Sequence, residues 1–114
     1  EFTRLWRTER TGMLYPDSLF GDQGQGFAAE DARLGVLSRI WRDMLGFAGA
    51  EMHRRILGLA HIAEYDRIGD ETIRAACEAR GLVLGRSLLH GAGTIADMAA
   101  LLDLARTIDK GDYL

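Results

Sequence analysis

The sequence predicts an all-α protein of about four to five helices, and three observations carry that prediction. Apolar residues recur at alternating spacings of three and four through most of the chain, the signature of a helix with a core-facing side. No stretch alternates apolar and polar residues with the period of two that a half-buried strand requires. The only proline falls, with four of the glycines, within one short segment, so no proline interrupts the rest of the chain. With 114 residues, 47% hydrophobic and 27% charged, the chain fits a single segment, 1–114, with one core.

Residues 1–10 place Phe2, Leu5 and Trp6 as on the last turns of a helix. Residues 11–27 form a loop: Gly12, Gly21, Gly24 and Gly26 permit tight bends, and Tyr15-Pro16-Asp17-Ser18 is a turn signal. Residues 28–114 make up the helical part. Its first helix starts near Ala28, with Leu34, Leu37, Ile40, Trp41, Met44 and Leu45 on one side and Arg33, Arg39, Arg42 and Asp43 on the other. Gly46 is the expected break.

Next comes a helix from Leu45 to about Ala63, apolar on two ridges. Met52, Ile56, Leu59 and Ala63 form one; Phe47, Ala50, Leu57 and His61 form the other, about 100° round the cylinder. Such a helix is expected to be buried. Asp66–Gly69 connects it to a helix N-capped by Asp70 and running to about His90, with Ile73, Ala76, Cys77, Leu84 and Leu88 facing the core. Gly81 and Gly85 within it point to close packing against another helix, since each costs about 1 kcal/mol relative to alanine. Gly91-Ala92-Gly93 ends it, and Thr94 with Asp97 resembles a capping box opening a last helix through Ile95, Met98, Leu101, Leu102, Ala105 and Ile108. Lys110–Leu114 is a frayed tail.

A net charge of -3 gives no general attraction to nucleic acid or to an anionic membrane, so any anion site must be local. The single cysteine, Cys77, has no internal disulfide partner, and no run of about 18 apolar residues is present. A cytoplasmic location is the expectation. The first residue is Glu1, which leaves room for the chain to be part of a longer polypeptide.

Two glycine patterns, Gly24-Gln25-Gly26-Phe27-Ala28-Ala29 and Gly91-Ala92-Gly93-Thr94-Ile95-Ala96, match a loose dinucleotide fingerprint. Neither follows a strand, so both read as helix punctuation. His53 and His61 stand eight residues apart, too far to ligate one metal from adjacent turns. No metal or catalytic residue is assigned. Arg54 and Arg55 are the charges that need an explanation in a helix expected to be buried. Glu51 can pair with Arg55 four residues on, leaving Arg54 for solvent, Asp43 or Glu78. The alternative is that the pair serves a pocket, as fixed donors to hydroxyl, carboxylate or phosphate oxygens, though ion-pair networks are the commoner case.

Leu45-Gly46-Phe47-Ala48-Gly49-Ala50-Glu51-Met52, followed by Arg54-Arg55-Ile56-Leu57-Gly58-Leu59-Ala60-His61, closely resembles the C-terminal region of S-methyl-5-thioribose kinases. Leu5-Trp6, Tyr15-Pro16 and Leu19-Phe20 upstream, and Ala75-Ala76-Cys77-Glu78 and Leu84-Gly85-Arg86 downstream, are similar to the same family's flanking segments. The resemblance implies the helical end of a protein-kinase-like C-lobe. It further implies an enzyme that uses ATP and Mg²⁺ to phosphorylate the 1-hydroxyl of methylthioribose in methionine salvage, commonly as a homodimer. Arg54 and Arg55 match the paired arginines that help hold the sugar, while His53 stands where the family is expected to carry an apolar residue.

Phosphoryl transfer also needs a phosphate-covering loop, a strand-borne lysine, a catalytic aspartate and magnesium-binding carboxylates. The sequence has no H-x-D or D-x-E, and its only lysine is Lys110. The expectation is therefore a substrate-binding part whose partner is the upstream part of the same kinase, inactive alone, with no nucleic-acid or membrane partner. The competing expectation is a free-standing helical interaction module with a structural arginine ion-pair network.

Overall fold

A computed structural model describes residues 26–59 and 62–111, together with Arg4. Its elements are α1 (Gly26–Leu57), α2 (Ala63–Asp66), α3 (Glu71–Gly91) and α4 (Met98–Asp109). Every regular element among the described residues is a helix, as predicted. The expected helix end at 1–10, apart from Arg4, and the loop up to residue 25 lie outside the described residues. The chain divides into two compact units, Glu1–Trp41 and Arg42–Leu114.

In the first unit, Arg33 is buried and ion-paired with Glu30 one turn earlier. This pairing within the helix follows the i, i+3 geometry that places the two side chains side by side.

In the second unit, α3 is the element against which α2 and α4 pack. Its start is fixed by Asp70, whose carboxylate accepts hydrogen bonds from the backbone N–H groups of Thr72 and Ile73, at 2.9 and 3.1 Å. Two otherwise orphaned donors of the first turn are thereby satisfied. Among the described residues Leu45, Leu88 and Ile108, from α1, α3 and α4, are the buried apolar residues of the core.

The approach of α1 to α3 runs over glycine. A Cβ added at Gly81 would lie 2.7 Å from Ile56 Cδ1, and one at Gly85 would lie 2.9 Å from His53 Nδ1. Hydrogen side chains at these positions let the two helices meet closely, which is what the two mid-helix glycines of α3 foretold.

Several expectations are corrected. Gly46 does not break the helix: α1 is continuous from Gly26 to Leu57. A Cβ at Gly46 would meet nothing within 4 Å, so the residue costs only its propensity, about 1 kcal/mol. Unbroken backbone hydrogen bonding, with Leu45 and Gly49 anchored on either side, outweighs that. The helix ends at Leu57 rather than Ala63, and Tyr65 and Asp66 belong to the separate short turn α2.

The helix expected to be buried is buried on one ridge only. Met52 and Ile56 are half-buried, whereas Phe47 is 80% and Leu57 71% exposed. Leu59 lies beyond the helix and is exposed, and Ala63 opens α2. On α3, Leu88 is buried and Cys77 and Leu84 are half-buried, but Ile73 and Ala76 are exposed. Finally, the cap of α4 is Asp97, accepting from the Ala100 N–H at 2.9 Å. Thr94 instead turns back, its hydroxyl donating to the Gly91 carbonyl at 3.0 Å, so Ile95 precedes the helix.

Candidate functional site: the arginine pair on α1

Glu51, Arg54 and Arg55 form one cluster near the C-terminal end of α1. Arg54 makes a two-pronged bond to the Glu51 carboxylate, Nε to Oε2 at 2.8 Å and Nη2 to Oε1 at 2.6 Å. Arg55 Nε donates to Oε1 of the same carboxylate at 2.6 Å. The Glu51–Arg55 pair is the one expected from spacing. Arg54 differs: its partner is Glu51, not Asp43 or Glu78, because the i, i+3 neighbour lies beside it, whereas Asp43 is about three turns away along α1 and Glu78 is on another element.

The electrostatics follow from that geometry. Hydrogen bonding from Arg54, then from Arg55, pulls the Glu51 carboxyl down from its ordinary 4.5 to about 2. The same bonds raise the already high pKa of Arg54. All three side chains stay substantially exposed, 43% for Glu51, 56% for Arg54 and 50% for Arg55. Exposed pairs add little to stability, because solvent screens the charges and both side chains must be ordered. The cluster is therefore an accessible array of oriented guanidinium donors, whose remaining N–H groups suit hydroxyl or anionic oxygens. Its position among the last residues of α1 also sets positive charge at the negative end of the helix dipole.

His53 has no part in this cluster. Its ring packs where a Gly85 side chain would otherwise stand, and Nδ1 lies 2.8 Å from the Gly49 carbonyl oxygen. His53 is thus a packing residue at the α1–α3 crossing.

A concavity of about 250 Å³, separate from this cluster, lies between the four helices of the second unit and was not foreseen from sequence. Met52, Leu84 and Ile108 line its apolar part, with Tyr65, Cys77 and Arg80 at its polar side. Arg80 Nη2 donates to Cys77 Sγ at 3.4 Å, and its Nε lies 3.8 Å from Asp109. Burial raises the pKa of the Tyr65 hydroxyl, reinforced by Cys77 and Glu78 and opposed by Arg80. These residues come from four elements, so no local spacing announces the pocket.

Among the described residues no group of three or more His, Cys, Asp and Glu side chains could hold a metal ion. No helix there is long and apolar enough to cross a membrane. Of the two glycine patterns, Gly26 opens α1 and Gly91 closes α3. His61 lies outside the described residues.

Fold and site together define an all-helical segment that presents paired guanidinium groups from a rigid helix. Its relatives place that segment. The chain is 40% identical over 78 residues to the methylthioribose kinase of Yersinia pseudotuberculosis, covering 68% of this chain and 18% of the relative. It is 44% identical over 70 residues to that of Pectobacterium carotovorum, 61% of this chain and 18% of the relative. The Yersinia enterocolitica enzyme is 42% identical over 71 residues, 62% of this chain and 18% of the relative. The chain is thus related in sequence to methylthioribose kinases and spans about a fifth of the length of the curated relatives it matches. No family model and no solved structure matches it.

Proposed function

We propose that the chain is the C-terminal, substrate-binding part of an S-methyl-5-thioribose kinase, the helical end of a protein-kinase-like C-lobe, and that Arg54 and Arg55 hold the sugar. The observation that carries the reading is the convergence of both arginines on one exposed carboxylate, on a chain related to enzymes named methylthioribose kinase. In the whole enzyme the guanidinium donors orient the ribose, so that its 1-hydroxyl is held for attack on the terminal phosphate of ATP and the entropic cost of that encounter falls. ATP and Mg²⁺ are handled by the upstream part of the polypeptide. The described residues offer no carboxylate cluster for the metal, and no step through it is assigned to them. A cytoplasmic homodimer is the corresponding whole-protein form.

Steady-state kinetics of the full-length polypeptide carrying this segment test the reading. Changing Arg54 or Arg55 to alanine raises KM for methylthioribose or depresses turnover, and unchanged kinetics in both variants overturn the assignment.

A second reading has one observation in its favour: each arginine is already ion-paired within its own helix. On that reading the chain is a free-standing helical interaction module and the cluster is structural. The reading frame decides between them. A start codon immediately before Glu1 supports the module, and an upstream kinase N-lobe with an H-x-D loop supports the kinase part.

A further inference from the structure

We propose that Glu51 is the positioning residue of the arginine pair, gathering two side chains that would otherwise diverge into one two-armed donor. The inference rests on the sugar-binding reading of Arg54 and Arg55. Consecutive residues of a helix leave its axis about 100° apart, so adjacent arginines do not by themselves address one ligand. Glu51, three and four residues earlier, falls inside that angle, about 60° from Arg54 on one side and about 40° from Arg55 on the other. Its carboxylate uses both oxygens on Arg54 and shares Oε1 with Arg55, at 2.6 to 2.8 Å. One anion therefore fixes the direction of two guanidinium groups.

The bonds occupy Nε and Nη2 of Arg54 and Nε of Arg55. A guanidinium carries five N–H donors in a rigid fork, so each arginine keeps donors for a ligand while its plane is held. Side-chain exposures of 50% and more leave those donors accessible. Holding them before the ligand arrives removes rotamer entropy that binding would otherwise cost. Glu51 acts through the arginines and need not touch the sugar itself.

The test uses the full-length kinase and measures KM for methylthioribose, KM for ATP, kcat and the thermal midpoint. Glu51→Ala and Glu51→Asp are compared with Glu51→Gln, which keeps two acceptor-length arms but only one acceptor atom. Glu51→Ala is expected to raise KM for the sugar about tenfold or more, since misplacement by 1 Å costs up to about 100-fold. KM for ATP and the thermal midpoint stay at the parental values, and Glu51→Gln falls between alanine and parent. In an Arg54→Ala, Arg55→Ala background, Glu51→Ala adds nothing further.

If both arginine substitutions raise KM but Glu51→Ala leaves it unchanged, or adds its full effect in the arginine-free background, the positioning role is overturned and the sugar-binding reading stands. If the arginine substitutions themselves leave the kinetics unchanged, the underlying reading fails and this role fails with it. A parallel rise in KM for ATP with a lowered thermal midpoint assigns Glu51 to structure alone and also overturns the proposal.

Discussion

The backbone of Gly49 on α1 meets the backbone of Gly85 on α3 with no room for a side chain. A Cβ built on Gly49 would lie 2.5 Å from the Gly85 carbonyl oxygen, and one on Gly85 would lie 3.1 Å from the Gly49 carbonyl oxygen. The contact is reciprocal, and in both directions it is to backbone, which cannot rotate away; it is tighter at Gly49.

A graded stability series follows. Gly49→Ala forces the helices apart and is expected to destabilise by about 2 kcal/mol or more, the scale of an overpacked core site. Gly85→Ala meets the His53 ring first, at 2.9 Å, and that side chain has some freedom to move. Gly81→Ala meets the flexible end of Ile56 and the Tyr65 hydroxyl, so it costs least of the three. Urea unfolding of the three variants is expected to rank them in that order.

Gly46 gives the opposite sign. Its Cβ position is empty within 4 Å and lies inside a continuous helix, so alanine adds helix propensity without a clash. Gly46→Ala is expected to stabilise by about 1 kcal/mol in the same unfolding assay. A loss of stability would show that the helix bends there after all.

Much of this was legible in the sequence, and what was missed has a common cause. The helical class, the Asp70 cap and the tight packing at Gly81 and Gly85 rest on local spacing and on single-residue chemistry. Gly46 was misread because a local breaker cannot announce that the flanking residues, Leu45 and Gly49, are held by tertiary contacts. The burial of α1 was misjudged because periodicity reveals which residues are apolar, not which of them meet a neighbour; Phe47 follows the pattern and is exposed. For the site, the Glu51–Arg55 spacing was visible, but the sharing of one carboxylate by both arginines depends on rotamers. The pocket at Tyr65, Cys77 and Arg80 depends on four elements meeting, which no window of sequence contains.

The two observed helix caps can be tested together. Asp70 satisfies two N–H groups at the start of α3, and Asp97 satisfies one at the start of α4. Asp70→Ala and Asp97→Ala are each expected to cost about 1 kcal/mol of stability. Thr94→Ala, which removes a turn contact outside the helix, is expected to cost less. Equal losses at Thr94 and Asp97 would move the cap back to Thr94.

The charge cluster makes a prediction about pH. Glu51 has a lowered pKa in the folded chain, about 2 against an ordinary 4.5. A carboxyl depressed in this way contributes its stabilisation above the unfolded value, and that contribution is lost as pH falls from about 4.5 through about 2. Following the Glu51 side-chain carboxyl by NMR across this range is expected to give a midpoint near 2. Because the Arg54 bonds are the larger cause, Arg54→Ala moves the midpoint upward further than Arg55→Ala does. Added salt moves the parental midpoint upward as well, since the cluster is exposed and its charges are screened. A midpoint near 4.5 in the parent, or equal shifts in the two variants, would contradict a carboxylate shared unequally between the two arginines.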